Sequence, residues 1–151
     1  MSSSKIVLTR ANKLVFIALL ATPAIYLLLL YLISVRAHGG SGNADQAISI
    51  MELLFLVYIG QCIYLYALWI PRFINPAKND AKMLFPRLLV GFTMAITIGI
   101  YGLIFGVLQL AATGTIDWFI PVLCAAIAIC HGLFLYFVKF DMSGKRAAEK
   151  I

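Results

Sequence analysis

Two ionisable side chains inside apolar stretches of this sequence could do chemistry, and the first is Glu52. It is the only carboxylate within such a stretch, about a turn and a half into the second one if that segment is helical. If the stretch crosses a membrane, a charge there costs about 2.5 to 3.5 kcal/mol near the midplane and less towards the interface. Two interpretations are open: an ion or proton site, or a carboxylate that reaches the outer interface or caps a neighbouring helix.

The second ionisable side chain is His131, close to the middle of the fourth apolar stretch. A neutral imidazole there could ligate haem or relay protons. A haem held between helices usually needs a second axial ligand, and the other histidine, His38, falls in a polar segment. The alternative, which the sequence favours, is a packing histidine that is hydrogen-bonded to a neighbouring helix.

The uncharged polar residues of the apolar stretches suggest packing and not catalysis. On a helix Gln61 lies 180° from Glu52, so we do not expect the two side chains to share a site. Gln109, Thr93 and Thr97 are more readily explained as interhelical hydrogen-bond donors than as ligand contacts. Gln61, Gln109 and His131 are therefore candidate polar contacts within the membrane.

No recognisable catalytic or metal-binding motif accompanies these residues. The sequence has no nucleophile elbow, phosphate loop, HExxH motif or paired carboxylates. Its three cysteines, Cys62, Cys124 and Cys130, lie in apolar stretches without CxxC spacing, which argues against a disulfide framework or a zinc site. We expect no catalytic residue, no bound metal and no cofactor.

The composition identifies the elements that must position these side chains. Of 151 residues, 63% are hydrophobic and 12% are charged, with a mean hydropathy of +0.99, which is too apolar for a water-soluble domain. Four apolar stretches, at 14–35, 47–70, 86–112 and 118–140, are each long enough to cross about 30 Å of hydrocarbon. The sequence predicts an all-α fold, a bundle of four transmembrane helices in a single integral membrane domain over residues 1–151.

The basic residues predict how this bundle is oriented. Most of the Lys and Arg behind the net charge of +6 flank the apolar stretches, which is typical of membrane topology and not of a nucleic-acid interface. They concentrate near the N-terminus, in the 71–87 loop and in the 139–151 tail. The positive-inside rule then places both termini in the cytoplasm, and we expect a multi-pass protein of the plasma membrane, in particular a bacterial inner membrane.

Small residues form one face on each of the last two predicted helices. On the third, five of them fall within an arc of about 80°, whereas Thr93 and Thr97 point the opposite way. In lipid, such faces let helices approach closely, so we expect the two faces to be partners. The residues are Gly91, Ala95, Gly99, Gly102 and Gly106 on the third helix, and Pro121, Ala125, Ala128 and Gly132 on the fourth.

The two halves of the sequence also share a weak internal repeat. Stretch 22–26, TPAIY, aligns with TIGIY at 97–101, and IGQCIYLY at 59–66 aligns with ICHGLFLY at 129–136, which sets Gln61 against His131. The repeat predicts two tandem helical hairpins.

The third helix, GFTMAITIGIYGLIFGVL at 91–108, resembles the carboxylate-bearing helix of the c-type proteolipid subunits of rotary ATPases, and TPAIY in the first helix is similar to the same pattern. The resemblance implies a duplicated hairpin that packs through small residues. The ion-binding carboxylate of that family would fall at Ile96 and Ala21, and neither residue can bind a proton or a sodium ion.

Three functions remain open from the sequence. The leading one is a non-enzymatic membrane subunit that forms a homo-oligomer, or scaffolds a complex with other membrane-protein subunits, through its small-residue faces. The second is a small channel or ion-coupled transporter that uses Glu52. The third is a haem- or quinone-associated subunit that uses His131. In each case the lipid bilayer is the surrounding partner.

Overall fold

Four long helices make up the part of the chain that the computed structural model describes, residues 10–36, 44–75 and 81–139. Helix α1 spans Arg10–Arg36, and α2 spans Ala44–Tyr64 and continues as a π-helix over Leu65–Ile74. Helix α3 spans Ala81–Thr113, and α4 spans Phe119–Phe134 and continues as a π-helix over Leu135–Lys139. The described ranges contain no β-strand, so the predicted all-helical fold with four helices is confirmed.

All four helices are long and apolar enough to cross a membrane. The candidate spans are Asn12–Arg36, Ser49–Ile74, Met83–Thr113 and Phe119–Val138, with hydropathies between 2.0 and 2.4. About 20 such residues cover the hydrocarbon thickness of a bilayer, and each helix satisfies its own backbone hydrogen bonds there. The protein is therefore a multi-pass membrane protein.

Helix α3 is the central helix of the bundle. It packs against α1, α2 and α4, and α1 also packs against α4, whereas no Cα atom of α2 lies within 8 Å of one in α1 or α4. In an 18-residue apolar stretch of α3 half of the residues are buried inside the protein, against 11% in the corresponding stretch of α2. The two tandem hairpins that the repeat predicts are thus not packed alike, because only α3 and α4 form a close hairpin.

A proline is accommodated in the middle of α1 without an unsatisfied carbonyl. Pro23 has no N–H to bond the carbonyl oxygen of Leu19, four residues earlier. The hydroxyl of Thr22 donates to that oxygen instead, at 2.6 Å. Pro23 is buried, and a Cβ built at Gly99 of α3 would lie 3.2 Å from its ring, so α1 and α3 approach closely at this level.

The π-helical continuation of α2 is tied to α3 at one end of the bundle. The indole N–H of Trp69 donates to the carbonyl of Arg87 at 3.0 Å, and the Arg87 guanidinium donates to the carbonyl of Phe73 at 3.0 Å. Leu65 and Leu135, the first residues of the two π-helices, are fully buried and pack together with Ala95. These contacts fix the end of α2 that carries the site described below.

A short connection joins α3 to α4. Gly114 has φ of 76°, a left-handed conformation that glycine adopts without strain, and its N–H donates to the carbonyl of Leu110 at 2.8 Å. The backbone N–H of Asp117 donates to the side-chain oxygen of Gln109 at 2.8 Å. The Asp117 carboxylate then accepts from the N–H of Phe119, the first residue of α4, at 3.0 Å.

Candidate functional site

His131 is held between two tyrosines of α2 inside the membrane. The Tyr58 hydroxyl lies 2.7 Å from Nδ1 of His131, and the Tyr66 hydroxyl lies 2.7 Å from Nε2. The Tyr66 ring is stacked on the imidazole with centroids 5.6 Å apart, and the Tyr58 ring meets it edge-on at 6.2 Å. The Tyr58 hydroxyl also donates to the carbonyl oxygen of Ala95 on α3, at 2.9 Å.

The register of α2 explains why Tyr58 points inward. Met51, Tyr58 and Leu65 are seven residues apart, which places them on one side of a helix, and all three are buried. Tyr66 follows Leu65 at the start of the π-helix. Since the α2 and α4 backbones stay more than 8 Å apart, the long tyrosine side chains bridge the gap to His131.

The two contacts of Tyr58 fix the direction of the hydrogen bonds. A carbonyl only accepts, so the single hydroxyl hydrogen of Tyr58 goes to Ala95. Towards His131 the Tyr58 oxygen therefore accepts, which assigns the imidazole hydrogen to Nδ1. In the neutral ring Nε2 is then unprotonated, and it accepts a hydrogen bond from the Tyr66 hydroxyl. The result is a one-way chain from Tyr66 through His131 and Tyr58 to Ala95.

This chain of hydrogen bonds is suited to holding helices together. Both imidazole nitrogens are engaged, so His131 could ligate iron only if one of its two bonds were broken. The chain of hydrogen bonds also ends on a backbone carbonyl, which has no proton to donate further, so these residues do not form a proton relay. In hydrocarbon an unsatisfied polar group costs several kcal/mol, and the chain satisfies polar groups of α2, α3 and α4 together.

Gln61 and Glu52 lie apart from this chain. Gln61 is half-buried, and its side-chain oxygen accepts from the Tyr101 hydroxyl of α3 at 3.4 Å, a long second bond between α2 and α3. Glu52 is exposed on α2 and has no hydrogen bond or ion pair to any residue in the described ranges. The structure therefore does not bring together Glu52 and His131, the two ionisable candidates of the sequence.

The remaining polar candidates bond locally. Gln109 lies at the end of α3, where its side chain accepts from the α3–α4 connection. The hydroxyls of Thr93 and Thr97 donate to the carbonyls of Leu89 and Thr93 in their own helix, at 2.9 and 2.7 Å, and not to another helix. These residues satisfy the local backbone, as Ser and Thr often do within helices.

The small-residue faces of α3 and α4 meet inside the protein. All five residues on α3 are buried, as are all four on α4. A Cβ built at Gly102 would lie 2.7 Å from the Cβ of Cys124 and 3.3 Å from the backbone of Pro121. The other four glycines of the two faces are equally close to neighbours: Gly91 to Leu65 and Trp69, Gly99 to Pro23 and Ala128, Gly106 to Leu30, and Gly132 to Leu20, Ile96 and Phe92.

Tyr58 and Tyr66 are the site residues that the sequence reasoning missed. The signal that could have identified Tyr58 is its place on the buried stripe with Met51 and Leu65. Ile96, where the proteolipid family would carry its carboxylate, is 5% exposed and packs next to Gly132. Among the described residues no group of histidine, cysteine and carboxylate side chains could hold a metal ion.

Comparison with known proteins adds no relative. No family model, no curated protein and no solved structure matches this chain. The resemblance to proteolipid subunits stays a prediction, and the function has to be argued from the geometry above.

Proposed function

We propose that the protein is a non-enzymatic subunit of a membrane assembly, and that the outward face of α2 binds a transmembrane helix of another polypeptide. The observation that carries this proposal is Glu52, a carboxylate exposed within a candidate span. It lies five residues into the apolar stretch 47–70, about 7.5 Å along the helix axis. A cationic side chain of the partner at that depth would offset the cost of placing this charge next to lipid.

The contrast between the two sides of α2 supports an assembly role. On the inward side, Tyr58, Gln61 and Tyr66 are bonded to α3 and α4. On the outward side, Glu52 has no described partner, and a Cβ built at Gly60 meets no atom within 4 Å. Membrane helices associate where a small residue lets backbones approach and a polar group can be paired. The exposed residues of this outward face are Glu52, Leu53, Leu56, Ile59, Gly60 and Ile63.

The proposed orientation follows from the distribution of charge. Lys and Arg near both termini and in the 71–87 loop support a cytoplasmic location for these segments, in the plasma membrane of a bacterial cell. Glu52, near the start of α2, then lies towards the outer leaflet. The partner's cation is expected at the same outer depth.

The two alternatives from the sequence are less well supported by the geometry. An ion-coupled carrier needs its carboxylate to face the bundle interior or a water-filled path, whereas Glu52 faces outward. A haem-associated subunit needs an imidazole nitrogen for iron, and both nitrogens of His131 are already hydrogen-bonded. A scaffold requires neither condition.

Site-specific photo-crosslinking in the membranes of the cell that makes the protein tests this proposal. A benzophenone amino acid at Leu56, on the outward face of α2, should form an adduct with a helix of another polypeptide. The same amino acid at Leu123, an exposed leucine of α4, should not. The Leu56 adduct should disappear in the Glu52→Gln variant. Equal adducts at the two positions, or an adduct only with a second copy of this chain, would contradict the proposed partner.

The mass of the assembly in mild detergent provides a second, independent test. Gly60→Leu adds a side chain where the protein itself leaves space, so the chain should fold but lose its partner and run at its own 16.6 kDa. Ala126→Leu makes a similar change at an exposed position of α4 and should leave the assembly intact. If both variants keep the wild-type mass, the outward face of α2 is not the interface.

A further inference from the structure

A second surface feature lies away from α2, at the end of the bundle where α1 begins and α4 ends. It is a groove of about 380 Å³ between α1, α3 and α4. Such a volume is within the range of pockets that hold small ligands. Its walls are aromatic and aliphatic, and among the residues that the structure describes its one charged lining residue is Lys13.

The floor of the groove is fixed and its rim is open. Phe16 and Phe92 are buried at 1% and 0% exposure and pack edge-to-face, with centroids 5.2 Å apart. Tyr136 packs edge-on against Phe16 at 6.4 Å. Ile17 and Phe137, at the rim, are 55% and 51% exposed, so the groove opens sideways towards the lipid. An elongated apolar chain can enter from the bilayer and lie on a preformed aromatic floor.

The polar groups of the groove lie at one end. Lys13 immediately precedes the apolar stretch 14–35, and it has no ion pair within the part of the chain that the structure describes. The Tyr136 hydroxyl, near the end of the α4 span, likewise makes no hydrogen bond to a described residue. Leu20 lines the groove seven residues after Lys13, on the same side of α1 and about 10.5 Å deeper. The groove therefore has polar groups at the membrane interface and apolar side chains deeper in the bilayer. A lipid molecule has the same arrangement of head group and acyl chains.

We infer that this groove binds an anionic phospholipid, with an acyl chain along the Phe16 and Phe92 floor and the phosphate next to Lys13. The ammonium group selects for net negative charge in the head group, and the Tyr136 hydroxyl can donate to a phosphate or glycerol oxygen. A zwitterionic lipid fits the same apolar floor but carries a positive group that Lys13 disfavours. The groove does not involve the outward face of α2, so the tests of this lipid site and of the proposed partner are independent of each other.

Lipid titration of the purified full chain tests the inference. Binding is measured by native mass spectrometry in detergent, with phosphatidylglycerol and phosphatidylcholine of the same acyl chains. The wild type should bind phosphatidylglycerol about fivefold more tightly, the effect of one lysine near an anionic surface. Lys13→Gln should abolish this preference. Arg72→Gln removes the same charge from an exposed position at the same end of the bundle and should keep it.

A second variant tests the apolar part of the groove. Ile17→Trp places a large side chain at the rim and should weaken binding of both lipids, whereas Leu28→Trp, at an exposed position further along α1, should weaken neither. Inorganic phosphate should not compete with phosphatidylglycerol. Competition by phosphate would identify a phosphate site without a lipid site. Equal affinity of the wild type for the two lipids, or equal effects of Lys13→Gln and Arg72→Gln, would also overturn the inference.

Discussion

Helices α3 and α2 are similar in length and hydropathy, yet the protein surrounds one and leaves the other mostly open. Half of an 18-residue apolar stretch of α3 is buried, against 11% of the corresponding stretch of α2. Glycines of α3 such as Gly102 and Gly106 are in tight contact with neighbouring helices, whereas Gly60 of α2 has open space next to it. Glycine thus allows close packing against neighbouring helices in α3, whereas in α2 it leaves an open surface.

The two helices are also held by different interactions. Helix α3 is held by close packing on several sides. Helix α2 is held on one side, by buried apolar side chains and by hydrogen bonds from Tyr58, Gln61 and Trp69. Between membrane helices there is no hydrophobic driving force, so packing and hydrogen bonds are what remain. Substitutions in α3 should therefore act through steric fit, and substitutions at the inward face of α2 through lost hydrogen bonds.

The largest expected effect separates two glycine substitutions. Gly102→Leu brings a side chain against the backbone of Pro121, which cannot move aside, and should lower the free energy of unfolding by about 3 kcal/mol or more. Gly60→Leu should change it by less than about 0.5 kcal/mol. Unfolding of the purified protein in mixed micelles, titrated with a denaturing detergent, measures both. A cost at Gly60 as large as that at Gly102 would show that α2 is covered.

The next effect concerns the histidine. His131→Phe keeps an aromatic ring but removes the hydrogen bonds to Tyr58 and Tyr66, and should cost about 1 to 3 kcal/mol. Cys130→Ala, at the exposed neighbouring position, should cost less than about 0.5 kcal/mol in the same titration. If His131→Phe is as mild as Cys130→Ala, the hydrogen-bond chain does not hold α2 in place.

A smaller effect distinguishes the two tyrosines. Tyr58→Phe removes the hydroxyl that contacts both His131 and Ala95 and should cost about 1 to 2 kcal/mol. Tyr66→Phe removes the bond to His131, and the loss of that bond should cost about 0.6 kcal/mol, the average for polar pairs between membrane helices. Nitrogen-15 spectra of labelled histidine should show the hydrogen on Nδ1 in the wild type and in Tyr66→Phe. A hydrogen on Nε2 in the wild type would reverse the assigned direction of the chain.

The smallest effect is expected at the charged residue of the outward face of α2. Glu52→Gln touches no described partner, so the free energy of unfolding of the isolated chain should change by less than about 0.5 kcal/mol. The same variant is expected to lose the crosslink to its partner. A loss of more than about 1 kcal/mol in the isolated chain would instead assign Glu52 a role within the fold.

The sequence predicted which residues lie on one side of a helix, because helical periodicity is a local property. The buried positions on α3, from Gly91 to Gly106, follow from 100° of rotation per residue. Which residues pack against that side of the helix depends on the tertiary structure and not on the local sequence. The sequence predicted the α4 face as one partner, and Pro121 of that face does lie against Gly102. It also suggested a second copy or a partner subunit, whereas in the structure Pro23 and Leu30 of α1 lie against the other side of this surface.

The candidate site, too, could be predicted from the sequence only in part. His131 stood out in the sequence because an imidazole is rare in an apolar helix. Tyrosines are common there, and only the position of Tyr58 on the stripe with Met51 and Leu65 distinguished one of the two. Their pairing with His131 depends on how far α2 stands from α4, a distance that the arrangement of both helices around α3 determines. The direction of the hydrogen bonds depends further on one backbone oxygen, that of Ala95.

The short connection at Gly114 determines which helices can move relative to one another. Only a few residues link α3 to α4, and Asp117 and Gln109 bond across them, so the two helices insert and move as one unit. Ala95 and His131 therefore stay together in any rearrangement. The two tyrosines belong to the separate helix α2, so a motion of the bundle would part Tyr58 and Tyr66 from the α3–α4 hairpin. Such a motion would break the hydrogen bonds from Tyr58 to Ala95 and from Tyr66 to His131.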